Sequence, residues 1–234
     1  MLAFGYSPAY LLENEEGIRQ DWPRVPLPNS RNLLELSADL GRKVAQLLDI
    51  DRSVPGVTDT GCRPELRTLA LPSHAGRSSL SDDDLALTAG WGHPGQGGAT
   101  MPGKGNLVER EYSKAEREAI SSGANLLGLP SEAAVSILGR KTYDVYLNDV
   151  AFWANVPVKV WDYTIGGYQV VKKWLSYREE KLLGRPLSKD EVRYVQEMVR
   201  RIAALLLLQP ALDANYEVVK ADAYPWPQKS DTTP

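Results

Sequence analysis

Two glycine-rich stretches within residues 90–105 come closest in spacing to known chemistry. Gly90-Trp91-Gly92-His93-Pro94-Gly95 has the G-x-G-x-x-G pattern of a dinucleotide turn, in which glycines bring backbone amides to a pyrophosphate at the start of a helix. Pro94 and the glycines that follow leave no helix to begin there. Gly98 to Gly103-Lys104 approaches a phosphate-cradling P-loop. Gly105 stands where a Ser or Thr must reach magnesium, and Pro102 lacks an amide that the cradle needs. Both stretches therefore read as a glycine-rich surface loop, with Lys104 as its contact to a nucleic-acid phosphate. Other catalytic sets are missing from the sequence. There is no G-x-S-x-G elbow, and Cys62, His74 and His93 are too few to make a zinc site. Asp82-Asp83-Asp84 has no EF-hand frame and reads as a solvated helix start. No Asn/Asp/Ser-Pro-Pro-aromatic tetrapeptide is present to hold a flipped base, so no catalytic residue is expected in this chain.

Binding chemistry is a better match. The net charge of −3 argues mildly against a generic nucleic-acid binder, but the charges are unevenly spread. Residues 1–100 carry 9 basic and 13 acidic side chains, whereas residues 166–203 carry 9 basic and 5 acidic ones. That surplus begins in VWDYTIGGYQVVKKWLSYRE (160–179). Gly166-Gly167 permits a sharp turn, and the run after it reads as a short amphipathic helix with Val170, Val171, Trp174 and Leu175 on one side. Lys172, Lys173 and Arg178 are left to hold DNA phosphates, with Lys173 and Tyr177 four apart on one face, and the helix start beside the glycines offers amides to a phosphate. Tyr168 joins them as an aromatic of the turn. Gln96, Lys104, Asn106, Arg110, Asn148 and Asn155 have side chains able to reach base edges from loops. The bland alternative is equally physical: Trp153, Phe152, Trp161, Tyr163, Tyr168 and Trp174 as core, Gly166-Gly167 as a plain turn, and Arg178 paired with Asp162 or Glu179.

The elements that must position these residues fall into three regions. Residues 1–52 read as helical. Asn29 or Ser30 can cap a helix with Leu33, Leu36, Leu40, Val44 and Leu47 at steps of three and four, and WPRVPLP (22–28) is an extended connector. Residues 53–112 are rich in Gly, Pro, Ser and Asp, with strand-like LRTLAL (66–71) and LALTAG (85–90); Trp91 and Met101 are the residues that could pin the glycine loop to a core. Residues 113–223 return to regular structure. Ser113 and Glu116 form a capping box for a helix to about Leu127, and Ser131 starts another helix. TYDVYLN (142–148) and VKVWDYTI (158–165) favour strands. Ser188 and Glu191 make a second capping box for a helix ending at Pro210. The tail 224–234 is expected to be flexible. The class is α+β: a helical segment 1–52, then one domain over 53–223. A single cysteine and the lack of a secretory-type start suit a reducing cytoplasm, and no apolar run approaches a membrane span.

The run VWDYTIGGYQVVKKWLSYRE, followed by a capped helix ending in LLLLQPALDANY, resembles the C-terminal specificity region of type ISP and related adenine-methylating type IIG restriction–modification enzymes. SPAYLLENEEGIRQDWPRVPLP (7–28) is similar to the segment after their methyltransferase core, and LALTAGWGHPGQGGATMPGKGNLVEREYS (85–113) to a stretch between the two. The blocks keep the family order across almost the whole chain. The resemblance implies a target-recognition domain for double-stranded DNA, from bacterial defence against foreign DNA by methylation and cleavage. The full-length enzymes use S-adenosylmethionine, and some use magnesium and ATP; no cofactor is expected in this chain. It implies a fragment, a split chain or a separately encoded specificity part, working with a methyltransferase, helicase or nuclease chain. Three other readings fit the same residues: an accessory chain needed for methyl transfer, a non-functional remnant, and an interaction module without nucleic acid.

Overall fold

The computed structural model describes residues 1–21 and 23–225. Its α+β contacts divide into two compact units, Met1–Arg52 with the residues from Leu208 on, and Ser53–Leu207.

The first unit holds α1 (Leu2–Gly5), α2 (Pro8–Glu13), α3 (Glu15–Gln20) and α4 (Arg31–Leu48). Ser7 caps α2, with Pro8 in the first turn where its missing amide costs nothing. Ser30 caps α4 by accepting from Leu33 N. In α4 the expected face holds at Leu33, Leu40, Val44 and Leu47, which are buried or half-buried, but Leu36 is exposed and Ser37 takes its place. The core is Phe4, Tyr10, Tyr216 and Val219. Tyr10 and Tyr216 meet edge to face at 5.3 Å. Ser7 Oγ and Ala9 N both donate to the Asp213 carboxylate, at 2.6 and 3.0 Å.

The second unit contains, in order, α5 (Pro64–Arg67), β1 (Leu71–His74), β2 (Gly92–Pro94), β3 (Thr100–Pro102), β4 (Leu107–Glu111), α6 (Lys114–Leu126), α7 (Ser131–Leu138), β5 (Lys141–Tyr146), β6 (Ala151–Pro157), α8 (Val158–Trp161), β7 (Thr164–Ile165), β8 (Tyr168–Gln169), α9 (Val170–Ser176), α10 (Glu180–Leu183) and the first part of α11 (Lys189–Ala221). An antiparallel sheet runs β1-β6-β5-β4. Its alternate residues Ala151 and Trp153 point into the core. The Trp153 indole donates to Val192 O on α11 at 3.1 Å. Both capping boxes form: Ser113 with Glu116, and Ser188 with Glu191.

Four expectations need correction. The strand expected over 66–71 is a helical turn at Pro64–Arg67, preset by Pro64, and the strand starts only at Leu71. Residues 85–90 join no sheet; Thr88 N and Ala89 N both donate to Leu147 O. VKVWDYTI is a strand only at its end: β6 stops at Pro157, Val158–Trp161 form the short helix α8, which buries Val160 and Trp161, and Thr164–Ile165 alone are extended, as β7. Pro210 does not end the last helix. Leu212, Tyr216 and Val219, at steps of four and three, are buried in the first unit, and this burial holds the second half of α11 across the lost hydrogen bond. By length and apolarity α11 could cross a membrane, but half of its most apolar window is already buried within the protein. The tail from residue 226 lies outside the described residues.

Candidate nucleic-acid interface

The interface is built on two small hairpins and one short helix of the second unit. β7 and β8 pair through Thr164–Gln169 and Ile165–Tyr168 around Gly166-Gly167. Both glycines have positive φ, 57° and 81°, as a two-residue hairpin of the right twist demands. The turn stands in open space, since a Cβ on either glycine would meet nothing within 4 Å. Ile165 and Tyr168 are therefore exposed, at 55% and 60%. α9 starts directly after β8. Val171 and Leu175 are buried beneath it. Trp174 stacks on Tyr194 at 5.6 Å, and the Arg178 guanidinium covers its ring at 4.0 Å. Lys172 and Lys173 are left toward solvent, and Lys173 Nζ sits 3.4 Å from the centre of the Tyr168 ring.

The opposite wall is the β2–β3 hairpin, which carries both glycine motifs. No α-helix opens at either motif; the first leads only into a 3-10 turn at Gln96–Gly98, broken by Gly97 at φ 69°. The glycines serve close packing instead. A Cβ on Gly92 would fall 1.9 Å from the Ser176 carbonyl oxygen at the end of α9, and one on Gly105 would fall 2.1 Å from the Trp91 ring. Trp91 is fully buried and packs tilted against Trp161, with ring centres 5.2 Å apart. Its indole donates to Tyr146 O at 2.8 Å, and its backbone amide donates to the buried Glu179 carboxylate. Met101, expected to help pin this loop, is 47% exposed; Trp91 and the close approach of Gly92 to Ser176 hold the hairpin instead.

Between these walls lies a cleft of about 420 Å³, lined by Thr100 and Pro102 of β3, Gly167, Tyr168 and Gln169, and Lys172, Lys173, Ser176 and Tyr177 of α9. Among the described residues Lys104, Lys172 and Lys173 make no ion pair, in contrast to most of the basic stretch after them. Arg185 and Arg178 both approach Glu191, at 2.7 and 3.7 Å, Lys189 pairs with Asp82 and Arg193 with Asp190. The local basic surplus therefore narrows to the cleft lysines and a few neighbours. The Arg185 hydrogen bond, opposed by partial burial and aided by Ser188 N, holds the Glu191 carboxyl down at about 2.

The structure thus brings Lys172, Lys173, Gly167 and Tyr168 together, with Gly166 at the turn beside them. Lys104 and Asn106 are exposed at the foot of the β2–β3 hairpin and Gln96 at its tip. Four other expected contacts are tied inward. Arg178 is on Trp174 and Glu191, not Asp162 or Glu179. Arg110 binds the Asp144 and Glu116 carboxylates and Glu111 O. Glu116, though burial pushes its carboxyl up, is held below the usual range by Arg110 and Ser113, and the arginine's own proton is held more tightly in return. Asn148 closes the β5–β6 turn, accepting from Val150 N and Ala151 N and donating to Asp84 O and Ala86 O. Asn155 is buried at φ 62°, bonded to Thr142 and Thr68. The α9 start offers less than expected, because Val170 N already donates to Tyr163 O at 3.1 Å and the helix has only seven residues. Thr100 and Gln169 were not anticipated; nothing local in the sequence marks a wall formed by two hairpins.

No group of three or more His, Cys, Asp or Glu side chains able to hold a metal ion occurs among the described residues. Neither a curated protein nor a solved structure matches the chain. Residues 2–205 of the 234 match the family model of the type ISP C-terminal specificity domain. The chain accordingly belongs to the type ISP C-terminal specificity domain family, the part of a restriction–modification enzyme that recognises its target.

Proposed function

We propose that this chain binds double-stranded DNA through the cleft between α9 and the β2–β3 hairpin and reads a target sequence from the loops around it. The observation that carries the reading is the pair Lys172 and Lys173: unpaired cations on a helix whose other face is fixed in the core, at the floor of a groove walled by two projecting hairpins. Such cations suit phosphates and set the register of the protein on the duplex without reading sequence. Base reading falls to side chains at the hairpin ends. Gln96 at the tip of β2–β3, and Lys104 and Asn106 at its foot, are free to reach base edges.

Within a complete enzyme of the family, this module selects the site where a separate methyltransferase part extrudes and methylates an adenine with S-adenosylmethionine, in the bacterial cytoplasm. Magnesium and ATP belong to the nuclease and motor parts. The first unit leaves Leu12, Leu34, Leu36 and Ile50 exposed, apolar side chains available to such a partner chain. A pool of random 30-bp duplexes, selected on the purified chain and sequenced, tests the reading. Enrichment of one short motif supports target recognition, and a bound pool without any sequence preference refutes it.

A further inference from the structure

Large apolar side chains are usually buried, and among the described aromatics of this unit all but Tyr168 and Tyr177 are buried or half-buried. On the β7–β8 hairpin Tyr168 stands beside a second exposed apolar side chain. Ile165 and Tyr168 face each other across its two strands, more than half exposed, beside a turn where a Cβ on either glycine would meet nothing within 4 Å. Gly166-Gly167 satisfy the turn by themselves, and α9 is fixed by Val171 and Leu175. The pair stands at the lip of the cleft, where Lys173 Nζ lies 3.4 Å from the Tyr168 ring centre. That cation holds the ring on the lysine side and leaves the outer ring face and Ile165 to a partner.

We infer that this hairpin is a wedge: on binding, Ile165 and Tyr168 enter a base step of the duplex, partly unstack it and kink or unwind the DNA. The inference rests on the DNA-binding reading above and adds a deformation to it. Apolar side chains inserted between base pairs are a general means of bending a duplex so that more of it meets the protein, and an aromatic face stacks on any base without regard to sequence. The charge beside the wedge fits this partner. Lys172 and Lys173 lie within the same cleft to hold the backbone as the step opens. A protein partner for the same two side chains would leave the neighbouring lysines without purpose.

The test is linking number. A relaxed closed-circular plasmid is incubated with saturating full-length chain and topoisomerase I, then deproteinised, with binding measured in parallel. Wild type is expected to shift the topoisomer distribution toward lower linking number. Ile165→Ala/Tyr168→Ala should abolish the shift at saturation, weaken binding roughly tenfold and keep the same salt dependence. Tyr168→Phe should retain the shift, because the ring and not the hydroxyl stacks. Salt-dependent binding by wild type with no change in linking number overturns the wedge and leaves DNA binding standing. A shift that persists in the double variant overturns it as well. Failure of the folded wild-type chain to bind the plasmid overturns both readings.

Discussion

Gly92→Ala is the sharpest structural test of how the interface is assembled. The added Cβ would lie 1.9 Å from the Ser176 carbonyl oxygen, and ordinary contact begins near 3.4 Å, so β2 and the end of α9 must separate by about 1.5 Å. Neither side can give easily. Trp91, next to Gly92, is held by its indole bond to Tyr146 O, by Gly103 N donating to its carbonyl at 2.6 Å, and by Glu179. Ser176 and Leu175 are buried. The atoms in collision are backbone, which no rotamer change relieves. We expect a loss near the top of the usual overpacking range, about 3 kcal/mol, or roughly 6–12 °C in Tm for a chain of this size. Gly76→Ala is the control, because its nearest neighbours are His74 ring atoms at 3.8 Å; it should stay within about 0.5 kcal/mol of wild type. Thermal unfolding followed by tryptophan emission reads both, since Trp91 and Trp161 are neighbours. A Gly92→Ala midpoint equal to that of Gly76→Ala would refute the packing of the hairpin on α9.

Other outcomes follow from the same geometry. Arg110→Ala should cost about 2 kcal/mol, because it strands the partly buried Asp144 and Glu116 carboxylates, and should leave DNA affinity within twofold; a tenfold loss of affinity at unchanged stability would show that Arg110 contacts DNA after all. Glu191→Gln should destabilise by about 1–2 kcal/mol at pH 7. The folded carboxyl titrates near 2 against an ordinary 4.5, so its contribution is complete above about pH 5 and fades as pH falls toward 2. Urea midpoints of the two proteins should therefore converge on acidification, and a gap that stays constant down to pH 2.5 would contradict the pairing with Arg185.

What could be read in advance was local. Ser113 with Glu116 and Ser188 with Glu191 announce their helices because a capping box is complete within four residues. The Gly-Gly turn and the lysines after it are equally local, and so the lysine side of the cleft could be anticipated. The β2–β3 wall could not. It depends on Gly92 meeting Ser176 and on Trp91 meeting Tyr146, contacts between residues far apart in the chain. The same limit explains the errors at Val158–Trp161 and Pro210. β-Branched composition suggested a strand after Pro157, although the sheet had already been completed by residues 151–157. Helix continuation past Pro210 depends on Tyr216 and Val219 finding Phe4 and Tyr10. Arg110 and Asn155 looked like readers because their side chains are versatile donors, and the same versatility makes them good internal ties.

The central claim, that Lys172 and Lys173 hold a DNA backbone, is tested most directly by the salt dependence of duplex binding. Binding of a labelled random-sequence 30-bp duplex is followed by anisotropy from roughly 50 to 200 mM salt, where each phosphate contact contributes about 0.9 to the slope of log Kobs against log salt. Wild type should bind and weaken steeply. Lys172→Ala/Lys173→Ala should bind more weakly with a slope shallower by about 1.8. An unchanged slope in the double variant, or no binding at low salt by the folded wild-type chain, would contradict the account.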